Sequence, residues 1–157
     1  MDSQIILALG IGIAAVAEDL WRREISNWTS MAALVGGVGI HLYERGAHGI
    51  GSVFLSALAG FCVFLAFYLL GGMGGGDVKL MAGFGAVLGR PGVLFEAALL
   101  TGFIGGVMAV LVLVFRGFGR LMQRPKVHDA ASAAKSAHIP YAPAITLGVW
   151  LSLLGNS

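Results

Sequence analysis

Eight carboxylate side chains are all the acid this sequence has: Asp2, Glu18, Asp19, Glu24, Glu44, Asp77, Glu96 and Asp129. Two short stretches set acids where long apolar runs break off. The first is Glu18-Asp19-Leu20-Trp21-Arg22-Arg23-Glu24-Ile25-Ser26-Asn27, and the second is Gly71-Gly72-Met73-Gly74-Gly75-Gly76-Asp77-Val78-Lys79. Two carboxylates held close together cannot both ionise freely. One proton is then shared, and a water between them can be activated for amide hydrolysis. That chemistry needs no metal and no nucleophilic side chain.

The first stretch also has a plainer reading. There a continued helix pairs Glu18 with Arg22 and Asp19 with Arg23 at i,i+4 spacing, with Trp21 and Trp28 as interfacial anchors. The second resists such a reading. Five of the six residues before Asp77 are Gly, and each carries a backbone-entropy cost that a simple connector does not require. Such a run permits tight turns and close approach, and delivers a carboxylate to a helix N-terminus, where the dipole favours negative charge. A phosphate-binding loop is the competing reading of glycine-rich sequence, but the Gly-Lys-Ser/Thr ending is missing. His41, His48, His128 and His138 show no metal-ligand spacing, and the spacing supports no Ser-His-Asp set. No metal and no cofactor is expected.

The elements that position these residues follow from composition. The chain has 157 residues, 57% hydrophobic and 11% charged, with 25 glycines, one cysteine and a mean hydropathy of +0.86. Soluble domains carry about 25% charged residues, so a soluble enzyme is excluded, as are disorder and a disulfide scaffold. A polytopic all-α membrane protein is left. Membrane-crossing helices need about 20 apolar residues. Six segments are predicted: Ile5 to Ala17 with its extension to Leu20, Trp28 to Tyr43, Ile50 to Leu70, Val78 to Leu88, Val93 to Phe115, and Ile139 to Leu154. They occupy one domain, residues 1–157. Ala15-Val16-Ala17 resembles a signal-cleavage site, but Asp2 and the lack of Lys or Arg ahead of it predict a retained first helix.

If all six cross, one face receives Arg22, Arg23, Lys79, Arg116, Arg120, Arg124, Lys126 and Lys135, and the other only Arg45 and Arg90. Cytoplasmic loops are the ones enriched in Lys and Arg. The face holding both acidic stretches is therefore predicted to be cytoplasmic, with both termini outside. The fourth segment is short. Were it to dip in and return, the eight-to-two division would become four to six, so a crossing is predicted.

These residues resemble a known family. Gly74-Gly75-Gly76-Asp77 looks like the Gly-x-Gly-Asp element of intramembrane aspartic proteases, and its continuation Asp77-Val78-Lys79 is similar to the Gly-x-Gly-Asp-x-Lys form of type IV prepilin peptidases. Asp19 followed by Arg22, Arg23 and Ile25-Ser26-Asn27 resembles that family's other aspartate pattern, with Ser26 where Pro is usual. Ile139-Pro140-Tyr141-Ala142-Pro143-Ala144, leading to Gly148, resembles its last-helix signature. The resemblance implies that Asp19 and Asp77 are the catalytic pair, and that Gly74, Gly76, Lys79 and Asn27 position the loop or substrate. It implies a leader peptide cut from a prepilin-like precursor, just before the apolar helix, at the cytoplasmic face of a bacterial inner membrane. Cys62 is the sole cysteine, so the paired Cys-x-x-Cys part of the larger, methylating members is missing. The likeness is to the short branch associated with tight-adherence (Flp) pili, without N-methylation.

Other residues invite simpler roles. Glu96, near Arg90, is read as a helix-terminus acid, Lys79 as snorkelling to head groups, and Cys62 as a packed small apolar residue. Gly83 with Gly85, and Gly102 to Gly106, are read as close-packing sites. The basic stretch from Arg116 to His138 is expected to lie on anionic lipid. The expected partners are the bilayer and a precursor protein, not nucleic acid, and the oligomeric state is not legible. A rival function is a small proton- or cation-coupled transporter or channel component using the same aspartates, and a third is a scaffold in an assembly complex.

Overall fold

Each apolar run becomes a helix and stops at a residue suited to a turn. The computed structural model describes residues 2–122 and 141–156. The helices are α1 (Asp2–Arg22), α2 (Asn27–Arg45), α3 (Ile50–Leu69), α4 (Gly75–Leu88), α5 (Pro91–Met122) and α6 (Ala142–Gly155), with a 3-10 turn at Gly46–Gly49. There is no strand among the described residues. Ser26 caps α2, its Oγ accepting from the Trp28 N–H at 3.2 Å. Gly89 ends α4 in the left-handed conformation, φ +58°, donating its N–H to Gly85 O at 3.0 Å. Pro91 then opens α5 with a ring already set to helical φ.

α4 is the hub. Ten of its 14 residues are buried, as expected of a helix that is apolar on every side. α2 and α3 sheathe it from opposite directions. Ser30 and Ala33 meet Gly83, and Gly37 meets Ala86 and Val87, so α2 runs parallel to α4; Gly60 meets Met81 and Ser56 meets Gly85, so α3 runs antiparallel. A Cβ on Gly85 would stand 2.5 Å from Ser56 O. α6 runs antiparallel to α1, with Trp150 Nε1 donating to Ala8 O at 3.1 Å, and antiparallel to α5, where Gly148 meets Ala97 and Thr101. These directions bring the end of α1, the starts of α2, α4 and α6 and the end of α3 to one end of the bundle. Arg45 and Arg90 lie at the other end, flanking the buried His41.

Three stretches are long and apolar enough to cross a membrane: Ser3–Arg22, Asn27–Leu69 and Pro91–Val112. The second comprises α2 and α3 folded as a hairpin. α4 and α6, at 14 residues each, reach only about 21 Å against a core of about 30 Å. The outer surface carries Ile6, Phe54, Phe103, Val114 and Leu154 exposed. So broad an apolar surface belongs in lipid rather than water.

Several expectations change. Cys62 is exposed on α3 rather than packed, because the inward face of α3 is taken by Val53, Ser56, Gly60 and Phe64. Gly83 and Gly85 do allow close packing, but a Cβ on Gly102 or Gly106 would meet nothing within 4 Å among the described residues, and of that group Gly105 is the one that meets Tyr141. α5 continues through Arg116 and Arg120 to Met122, so the basic stretch begins as helix. Its remainder, and Ile139-Pro140, lie outside the described residues. Glu96 accepts from Asn156 Nδ2 at 2.7 Å, fastening the end of α6 to the first turns of α5.

The packing of α4 sets an expectation for stability. Gly85→Ala drives a methyl into the Ser56 carbonyl and should cost about 1–3 kcal/mol, whereas Gly102→Ala, on an open face, should be neutral or stabilise by up to about 1 kcal/mol. Denaturant titration in detergent micelles measures both.

Candidate active site

The end of the bundle where five helix termini meet is hollow. A cleft of about 790 Å³ is lined by Asp19, Arg22 to Asn27, Gly74 to Asp77 and Lys79. Both aspartates singled out in the sequence stand in it, each only 4% exposed. Carboxylates that deep need hydrogen-bond donors. Asp19 sits in the last turn of α1 and its Oδ2 accepts from the Ala142 N–H at 3.1 Å, at the start of α6. Asp77 sits in the first turn of α4 and its Oδ2 accepts from the Gly74 N–H at 3.1 Å. Each carboxylate is thus held by a backbone donor at a helix N-terminus, where unpaired N–H groups and the dipole favour negative charge.

The local sequence explains both placements. α4 starts at Gly75, with Gly74 as its extended cap residue, so the glycine run is partly the first turn of the helix rather than wholly a loop. Ile25 packs on Gly76, where a Cβ would come within 3.1 Å of the Ile25 Cβ. α1 ends at Arg22, and Arg23 just beyond it takes a left-handed φ of +55° and donates its N–H to Asp19 O at 3.0 Å. A non-glycine residue in that region carries strain of order 1 kcal/mol. The turn it makes sends Glu24 to Asn27 across the cleft wall. Lys79 Nζ donates to Asn27 Oδ1 at 2.9 Å, fastening α4 to the start of α2.

Glu18 departs from its expected role. In place of an ion pair with Arg22, its Oε2 accepts from the Ser26 N–H at 2.9 Å and from Thr29 Oγ1 at 2.8 Å. It clamps the α1–α2 turn from behind the cleft. Ser26 supplies a donor there that a proline could not, which gives its presence a structural reason. The sequence-based site thus comes together at Asp19, Asp77, Asn27, Gly74, Gly76 and Lys79. It lacked Ala142 and Glu18. Their roles are a backbone contact across the fold and a side-chain clamp, and the nearest sequence signal was Pro143 just inside a helix start. Among the described residues no three His, Cys, Asp or Glu side chains are grouped as metal ligands.

A model of the type IV leader peptidase family matches residues 6–114. No curated protein and no solved structure matches the chain. The matched span reaches from α1 into α5 and takes in both aspartates and every residue that lines the cleft, while residues 1–5, the end of α5 and α6 lie outside it. The chain belongs to the type IV leader peptidase family.

Proposed function

We propose that this protein is an intramembrane aspartic endopeptidase that removes the leader from prepilin-like precursors. The observation that carries the reading is the convergence of Asp19 and Asp77, buried and far apart in the chain, on one cleft. The peptidase activity follows from the family; the aspartic mechanism rests on this pair. The two carboxylates work as an acid–base dyad holding one proton between them. The ionised partner takes a proton from water as the water oxygen bonds to the scissile carbonyl carbon. The protonated partner gives its proton to the carbonyl oxygen. Collapse of the tetrahedral intermediate breaks the C–N bond: the leaving amine takes a proton from the protonated partner, and one hydroxyl of the intermediate gives its proton to the ionised partner, which restores the dyad. The leader leaves with a new carboxylate, and the mature chain with a new N-terminal amine. The Ala142 and Gly74 N–H groups each hold one oxygen of a carboxylate, fixing its orientation in the cleft.

In this reading the six helices cross the inner membrane as one domain, α4 inside a sheath of protein. The cleft faces the cytoplasm, both termini lie outside, and the substrate is cut just before its apolar helix. The division of basic residues supports that orientation: Arg22, Arg23 and Lys79 line the cleft while Arg45 and Arg90 lie at the far end. With one cysteine and no Cys-x-x-Cys, the protein is read as a peptidase of the short Flp-associated branch without methyl transfer.

Reconstituted with a prepilin-like precursor, Asp19→Asn and Asp77→Asn should each lower cleavage by about 10²–10⁴-fold, while the proteins still insert. Product mass reads the outcome, and substantial residual cleavage by either variant removes it from the dyad. A zinc chelator should leave the rate unchanged; a chelator-sensitive rate points to another mechanism.

A further inference from the structure

A second hollow opens beside the cleft. Met31 and Leu34 of α2, Phe61 of α3 and Ala82 of α4 wall a groove of about 410 Å³, and Asn27 and Lys79 stand at its head. The same two residues line the cleft, so groove and cleft adjoin across the Asn27–Lys79 pair. Met31, Leu34 and Phe61 are exposed, and the groove opens on the outer side of the bundle. Ser30 also lines it. That residue is only 7% exposed, and its hydroxyl has no hydrogen-bond partner among the described residues. A buried hydroxyl left unpaired is costly.

We infer that this groove seats the apolar helix of the substrate, its first turn against Asn27 and Ser30 and its leader passing Lys79 into the cleft, an inference that rests on the peptidase reading above. Any helix begins with four backbone N–H groups that lack partners, and in an apolar setting each needs an acceptor. The groove offers acceptors at its head alone. Asn27 Oδ1 accepts from Lys79 and, as a carbonyl oxygen, has a second lone pair. The Ser30 hydroxyl is unengaged among the described residues but covered by its neighbours, so it accepts from a substrate N–H only once its side chain turns toward the groove. Below them the walls are apolar, matching the body of such a helix. A lipid chain would suit those walls too, but its donors are confined to one charged headgroup, whereas a helix start presents a full turn of backbone N–H groups. The groove on α5 at Gly102, Phe103 and Gly106 is of similar size, about 440 Å³, yet among the described residues it has no polar head and shares no residue with the cleft.

The test uses the full chain in phosphatidylethanolamine–phosphatidylglycerol vesicles, with a precursor bearing leader and apolar helix as the probe. A photoreactive benzoylphenylalanine is placed at Met31 or, as control, at Phe103, in an Asp77→Asn background so that docking is read apart from cleavage. The expected result is an adduct from Met31 to the first turns of the apolar helix, with little from Phe103. Adducts to lipid alone, or equal yields at both positions, overturn the inference. In the catalytically intact chain, Ala82→Phe fills the groove. It should change the kcat/KM ratio between the helix-bearing precursor and a helix-free leader peptide by about tenfold; an unchanged ratio also overturns it. A Met31 adduct with no cleavage by the wild-type protein would uphold the seat and sink the peptidase reading instead.

Discussion

Everything at the cleft depends on how closely α2 and α3 approach α4. A helix of 14 residues is too short to span a hydrocarbon core by itself, yet it carries Asp77 in its first turn. It is held in place by backbone contact: Gly37, Gly60, Gly83 and Gly85 all lie where a side chain would collide with a neighbouring helix. In lipid there is little hydrophobic drive between helices, and packing contact of this kind replaces it. The backbone carbonyls of the buried residues Ser30 and Ser56 sit in the same interfaces, against Gly83 and Gly85. The result is an interior helix with nearly all its surface covered by protein, whose one open end is the cleft.

A related constraint governs the carboxylates. Both are almost wholly buried, and each accepts a hydrogen bond from the backbone at a helix N-terminus. Backbone donors are set by the fold and do not swing away as side chains do. For Asp77 the donor is local, three residues back in its own capping turn. For Asp19 it is Ala142, at the start of the last helix. The position of the first aspartate therefore depends on α6 docking between α1 and α5. Glu18 adds a second restraint by tying α1 to the start of α2 through Ser26 and Thr29. The two acidic residues side by side in the sequence thus have separate duties, one facing the cleft and one bracing the turn that walls it.

The sequence by itself determined the helical, membrane-embedded class of the protein and the approximate helices, and it singled out two aspartates that stand in one cleft. The reason is physical: in a chain with 11% charge, a carboxylate at the edge of an apolar run is conspicuous, and a run of glycines before it has few structural uses. Charge scarcity also made the separation of basic residues readable, and Arg22, Arg23 and Lys79 do lie together at one end. What it could not determine were matters of facing. Helical period does not say which glycines meet a neighbour, so Gly105 packs where Gly102 and Gly106 do not, and Cys62 faces outward. Nor does a side chain's charge name its partner when a backbone N–H competes, as Glu18 shows with Ser26. Only the tertiary structure decided that α4 is the sheathed centre and that α6 supplies the donor for Asp19. Both depend on contacts between segments distant in the chain, and local sequence preference carries no information about those.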